Sequence, residues 1–148
     1  MSQCSTMNDT LQGFTIGPNI MPTALKVQFE SDELLRDIID AIAAAKQTPM
    51  LTKDDSVRVA IAVTKLQDVI YSLLDVLVAK KPVFDKAILG IGSASFLVSA
   101  DLKSLKDATD GFGNEVVLRL ANPIQQVAPL IISDLDFHFI RAIQVYSA

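Results

Sequence analysis

Apolar positions recur at helical spacing along most of the chain, and nowhere do they alternate for long. Leu34, Leu35, Ile38, Ile39 and Ile42 follow Ser31 and Asp32, two residues that can cap a helix N-terminus. The pattern closes at Lys46, before Pro49. Thr52 with Asp55 forms a capping box, and a long helix is predicted from there to Lys80. On it, Val59, Val63, Leu66, Ile70, Leu73 and Leu77 step by four and three along one face, which Ala62, Val69 and Val76 widen. So broad a stripe needs more than one packing neighbour.

Pro82 suits the start of a third helix, predicted to run to Asp110 and to be stopped by Gly111 and Gly113. Phe84, Ile88, Ile91, Ser95, Val98, Leu102 and Leu105 would form its inner face. A short helix over 114–120 follows, and Pro123 opens a last helix bearing Ile124, Ala128, Ile131, Leu135, Ala142 and Val145 on one side. Pro129 is expected to kink that helix or delay its start. Residues 1–30 carry Ser, Thr, Asn, Gly and Pro among isolated apolar side chains and read as a loop or loosely ordered arm. The predicted fold is therefore all-α: an antiparallel bundle of four main helices and one short helix, in a domain spanning 31–148.

Composition narrows the chemistry. The 148 residues include 13 basic and 17 acidic side chains, a net charge of −4, and half are hydrophobic. Mean hydropathy is +0.36, which argues against disorder, and a pI near 4.8 provides no basic footprint for nucleic acid or for an anionic membrane surface. No uncharged stretch is long and apolar enough for a transmembrane segment. Residues 1–21 contain no recognisable signal peptide, and the Asn8-Asp9-Thr10 sequon has meaning only along a secretory route. Cys4 and His138 are the only residues of their types, so neither a disulfide framework nor a His/Cys metal cluster is expected, and no cofactor is called for.

The run from Gly90 to Ser95 is the least ordinary feature. Read as the middle of a helix, each glycine there costs about 1 kcal/mol relative to Ala. Two readings stay open. Small side chains let a neighbouring helix approach closely, or the missing volume leaves a tunnel with Ser93 or Ser95 as polar contacts for a ligand. Leu66, Ile70, Leu73, Leu77, Ile88, Ile91, Ile131, Leu135 and Phe139 are the candidate tunnel wall, with Gln67, Ser93, Ser95 and His138 as candidate polar partners. His138 otherwise reads as a boundary histidine. A triad with Ser93 or Ser95 and Asp134 lacks any nucleophile-elbow motif, so no catalytic activity is expected.

Three segments occur in order: Leu77-Val78-Ala79-Lys80-Lys81-Pro82-Val83-Phe84-Asp85, Asp101-Leu102-Lys103-Ser104-Leu105-Lys106-Asp107-Ala108-Thr109-Asp110 and Ala142-Ile143-Gln144-Val145-Tyr146. Together they resemble the hydrophobic surface binding protein A family, the fungal cell-wall galactomannoprotein family, from about Ile38 to Tyr146. The resemblance implies a helical, non-enzymatic protein, secreted or wall-associated. It implies binding to hydrophobic surfaces and to a fatty acid or similar lipid held between helices, so it favours the tunnel. The alternative is an interaction protein that adsorbs to hydrophobic surfaces or docks a protein partner without an internal ligand. Family members have a leader and a further amphipathic helix, which residues 1–35 do not supply in this reading, so a cytoplasmic location is the alternative to an extracellular one. The side of the bundle left bare is expected to be covered by the N-terminal arm or by a second copy of the chain, as a homodimer.

Overall fold

The structure, a computed structural model, describes residues 2–89 and 92–147, with Ile88, Leu89 and Gly92 described by their backbone alone. Its elements are α1 (Ser2–Gln12), α2 (Ile20–Gln47), α3 (Lys53–Ala79), α4 (Lys81–Lys86), β1 (Ile88–Leu89), β2 (Gly92–Ser93), α5 (Ala94–Val117) and α6 (Ile124–Ser147). Four helices are long, as the periodicity predicts, and two are short. The two strands are a two-residue antiparallel pair, Ile88 opposite Ser93 and Leu89 opposite Gly92.

Helix α2 packs along α5, α5 along α6, and α6 along α3, while α1 lies against both α2 and α3. These five helices form a ring around a shared apolar interior, and α1 closes the seam between α2 and α3. Helices α5 and α6 run antiparallel, as the Lys106–Asp136 ion pair and the Ser99–Ser147 hydroxyl contact require. Helices α3 and α6 run in the same direction, with Ser56 bonded to Ala121 near their starts and Leu77 bonded to Tyr146 near their ends.

Three local expectations are corrected. The first concerns residues 1–30, which are not a loose arm: they hold α1 and the first part of α2. Cys4, Met7 and Leu11, spaced three and four apart, and then Ala24 and Val27 are all buried in the core. A short apolar stripe on a polar helix is weak by itself, and the open seam between α2 and α3 gives it something to bury. Pro22 stands in the first turn of α2, where an amide has no helical partner to lose. The bare side of the bundle is thus covered by the N-terminal segment, as a helix.

The second correction concerns the helix expected to run through Gly90 to Ser95: Gly92 and Ser93 are extended, and Ala94 and Ser95 open a new helix. The helix begun at Lys81 stops at Lys86, the chain turns through the β1–β2 pair, and α5 begins at Ala94. Ala94 N donates to Ala87 O at 2.7 Å and closes the excursion. Gly90 and Ile91 lie outside the described residues.

The third concerns Gly111 and Gly113, which do not end a helix; α5 runs through both to Val117 and absorbs most of the predicted short helix. A Cβ on Gly113 would stand 3.1 Å from Ile132 of α6, and one on Gly111 would stand 3.4 Å from Ile42 of α2. The glycines let α5 lie close to both neighbours, which offsets their poor helix propensity. Helix α6 likewise starts at Ile124 and continues past Pro129, with no delayed start.

Thr52 caps α3 as expected, its side chain accepting from Asp55 N at 3.2 Å. No helix among the described residues is long and apolar enough to cross a membrane.

Candidate functional site

The stripe on α3 faces the ring interior, and the interior is not filled. Two apolar cavities adjoin there. The larger, about 190 Å³, is walled by Leu66, Ile70, Leu73, Leu74 and Leu77 of α3, Leu34, Ile38 and Ala41 of α2, Leu102, Leu105 and Phe112 of α5 and Phe139 of α6, with Gln3 and Cys4 of α1 at one side. The smaller, about 110 Å³, lies toward the start of α3, between Val59, Val63, Leu66 and Ile70 on one side and Val116, Ala128, Ile131 and Leu135 on the other. Leu66, Ile70, Thr109 and Phe112 belong to both walls. An engineered apolar cavity of about 150 Å³ stays dry and admits benzene, so spaces of this size and lining suit hydrocarbon better than water.

The structure thus brings together eight of the residues singled out from the sequence. Leu66, Ile70, Leu73, Leu77 and Phe139 line the larger cavity, and Leu66, Gln67, Ile70, Ile131 and Leu135 line the smaller. Of the others, Ser93, Ser95 and His138 line neither cavity. Ile91 lies outside the described residues, and Ile88 is placed by its backbone in β1. Ser93 is the N-cap residue of α5 without a side-chain capping bond. Ser95 is buried, but its Oγ donates to Asp85 Oδ1 at 2.5 Å, tying the start of α5 to α4. That bond, after the stronger contact with Lys81, helps hold the Asp85 carboxyl below its ordinary range.

His138 also lies off both cavity walls. It stacks on Tyr71, ring centroids 3.9 Å apart, with Phe137 edge-on at 5.7 Å, and its Nδ1 is buried without a hydrogen-bond partner among the described residues. Asp134 accepts from Tyr71 and from Gln67, the latter at 3.0 Å, Ser95 is committed to Asp85, and among the described residues neither Ser93 nor Ser95 is bonded to His138. Burial first, and the Asp134 carboxylate next, push the Tyr71 hydroxyl up to about 12. Gln67, which lines the smaller cavity, also donates to Tyr71, so this polar group borders the apolar space.

A second polar edge is Asp110, in the wall of the smaller cavity. Lys106 bridges Asp110 at 2.8 Å and Asp136 at 2.9 Å, and the two carboxylates hold its ammonium above the ordinary lysine range. Burial and the neighbouring Asp136 raise the Asp110 carboxyl. Cys4, at the edge of the larger cavity, has its thiol pushed up chiefly by burial and behaves as a small apolar residue. No cluster of three metal-ligating side chains exists among the described residues.

Sequence reasoning missed the contributions of α1, α2 and α5. Leu34 and Ile38 were visible as a helical stripe, and Ala41 continues it. Phe112 was concealed because its flanking glycines read as a helix terminator.

A family model described as hydrophobic surface binding protein A matches residues 1–118, including the N-terminal segment that the three sequence patterns leave out. The crystal structure of AfMP4p in complex with palmitic acid is similar at TM-score 0.89 and 30% identity, over 98% of this chain and 91% of that one. Ligand binding domain 1 of the Penicillium marneffei MP1 protein, complexed with arachidonic acids, is similar at TM-score 0.87 and 14% identity, over 99% and 91%. Domain 2 of the same protein, complexed with multiple arachidonic acids, gives 0.86 and 13%, over 99% and 88%. No curated protein sequence matches the chain.

Proposed function

Because the chain belongs to the hydrophobic surface binding protein A family, we propose that it binds a fatty acid or similar lipid in the two adjoining cavities and sequesters or carries it unchanged. The observation that carries this reading is the pair of apolar cavities sharing one wall at Leu66, Ile70, Thr109 and Phe112. Each methylene moved from water into such a space gains about 0.8 kcal/mol before ordering costs, so an acyl chain binds without strong polar contacts. Gln67, whose amide N–H groups go to Tyr71 and Asp134, keeps its Oε1 to accept from a protonated polar end of a ligand in the smaller cavity. The relatives crystallised with palmitic and arachidonic acids support the same ligand class. Membership of the family supports an extracellular or cell-wall location.

The test is titration of the lipid-stripped protein with palmitic acid, followed by calorimetry. Saturable binding is expected, weakened at least tenfold by Ile70→Trp, which places an indole in the shared wall, while far-UV circular dichroism stays helical. No heat and no uptake by the stripped protein would end this reading.

A second reading, adsorption to hydrophobic surfaces, is favoured by the outer face of α6, where Leu130 is 72% and Phe137 63% exposed, with Val127 and Ile140 beside them. Leu130→Gln with Phe137→Gln should reduce retention on a hydrophobic bead and leave palmitic acid binding unchanged.

A further inference from the structure

We propose that Phe112 sets the length of acyl chain the protein accepts, by dividing the interior into two compartments and turning aside to join them. The inference rests on the lipid-binding reading and deepens it.

Three observations place this role on one residue. Phe112 is the largest of the four side chains in the wall common to both cavities. Its neighbours in sequence are the two glycines at which α5 meets Ile42 of α2 on one side and Ile132 of α6 on the other. Successive helical residues are about 100° apart, so 112 stands between the two faces the glycines occupy, and its place in both cavity walls puts it on the interior side. A helical side chain lies back over the preceding turn, which for Phe112 is Thr109, another member of the shared wall.

Volume decides what the division means. Neither about 110 Å³ nor about 190 Å³ is far from the roughly 150 Å³ that admits a single benzene, so neither compartment alone encloses a long acyl chain. Joined, they reach about 300 Å³, the lower bound of ordinary small-molecule sites. An aromatic side chain on a helix has two accessible χ1 wells, and the cavity space on either side of Phe112 leaves room for a change between them. With Phe112 in the wall, short chains fit one compartment; with Phe112 turned, one long chain spans both.

The experiment measures affinities of the lipid-stripped full chain for decanoic and palmitic acids by calorimetry, in wild type, Phe112→Ala and Phe112→Trp. The palmitic-to-decanoic affinity ratio should rise about tenfold in Phe112→Ala and fall about tenfold in Phe112→Trp, the equivalent of about two methylenes gained or lost from the enclosed length. One palmitic acid per chain is expected. Ratios unchanged across the three proteins, all with wild-type circular dichroism, would overturn the proposal. Should Phe112→Ala lose its helical signal, Phe112→Leu and Phe112→Trp decide by the same ratio. Wild-type protein that takes up neither acid would refute lipid binding itself, whereas binding with an unaltered ratio would refute only the role of Phe112.

Discussion

The two ends of the helical ring are closed by different means. At the end where α1 and α3 terminate, Phe14 and Phe84 are 0% and 1% exposed and meet edge-on at 4.7 Å, and Phe84 meets Tyr146 at 5.9 Å. The Tyr146 hydroxyl donates to Leu77 O at 2.5 Å, and Lys80 Nζ donates to Phe14 O at 2.9 Å, a cation placed at the end of α1. At the opposite end the closure is polar and peripheral. Arg119 donates to Thr48 O at 2.8 Å, Lys46 O at 2.9 Å and Glu115, and buried Ser56 accepts from Ala121 N at 2.8 Å. Inside that rim Val63, Leu66, Ile70, Phe112 and Ile131 stay only partly buried around the cavities. Aromatic packing closes one end beyond Leu77, and the rim fixes the helices at the other without filling the space between them, so the hollow runs from Leu77 toward the rim.

This contrast gives a graded set of expectations. Phe84→Ala should cost about 3–5 kcal/mol in denaturant unfolding, since it empties the packed end. A smaller loss would mean that this end is not where stability resides. Palmitic acid at about 100 times its Kd should stabilise the protein by about 2.7 kcal/mol, with hydrogen-exchange protection rising over 59–70 and 112–131 and little around Phe14 and Phe84. Protection that rises equally at both ends would erase the distinction. Leu66→Ala should cost only about 1–2 kcal/mol, because open space already borders that side chain and fewer contacts are lost. A cost matching that of Phe84→Ala would show the hollow end to be as tightly packed as the other.

Two finer expectations concern polar groups. Tyr146→Phe removes the hydroxyl bonded to Leu77 O and should lower the unfolding free energy by about 1 kcal/mol, without effect on lipid affinity. Asp101, in the α2–α5 contact, has its carboxyl raised chiefly by burial, against the hydrogen bond from Gln28. A raised folded-state value means that its stabilising contribution is present below the unfolded value and is lost as pH rises through the folded one. Asp101→Asn should therefore stabilise the protein at neutral pH by about 0.5 kcal/mol, and the difference should vanish below about pH 4. A pH-independent difference would assign the effect to something other than ionisation.

Much of the site was legible along α3. Leu66, Ile70, Leu73 and Leu77 stand on one face because helical geometry alone puts them there, and so do Ile131 and Leu135 on α6. The same logic did not reach the serines. Their assignment depended on a helix running through Gly90 to Ser95, and the chain instead leaves the helix at Lys86 and re-enters it at Ala94. At Gly111 and Gly113 the error ran the other way, since residues that commonly end a helix here sit inside one. A glycine reports that backbone freedom or space is needed, and the sequence does not say which.

The sequence by itself determined the helical class, the four long helices and the apolar stripe of α3, because these follow from the 3.6-residue period and from local capping. It also carried the family patterns. Tertiary structure alone decided that Cys4, Met7 and Leu11 form a helix worth burying, that Gly111 and Gly113 serve close approach to Ile42 and Ile132, and that the interior is left as two cavities meeting at Phe112. Each of these depends on what lies opposite a residue across the ring. Local periodicity fixes the face on which a side chain stands, and only the assembled helices fix whether that face meets another side chain or empty space.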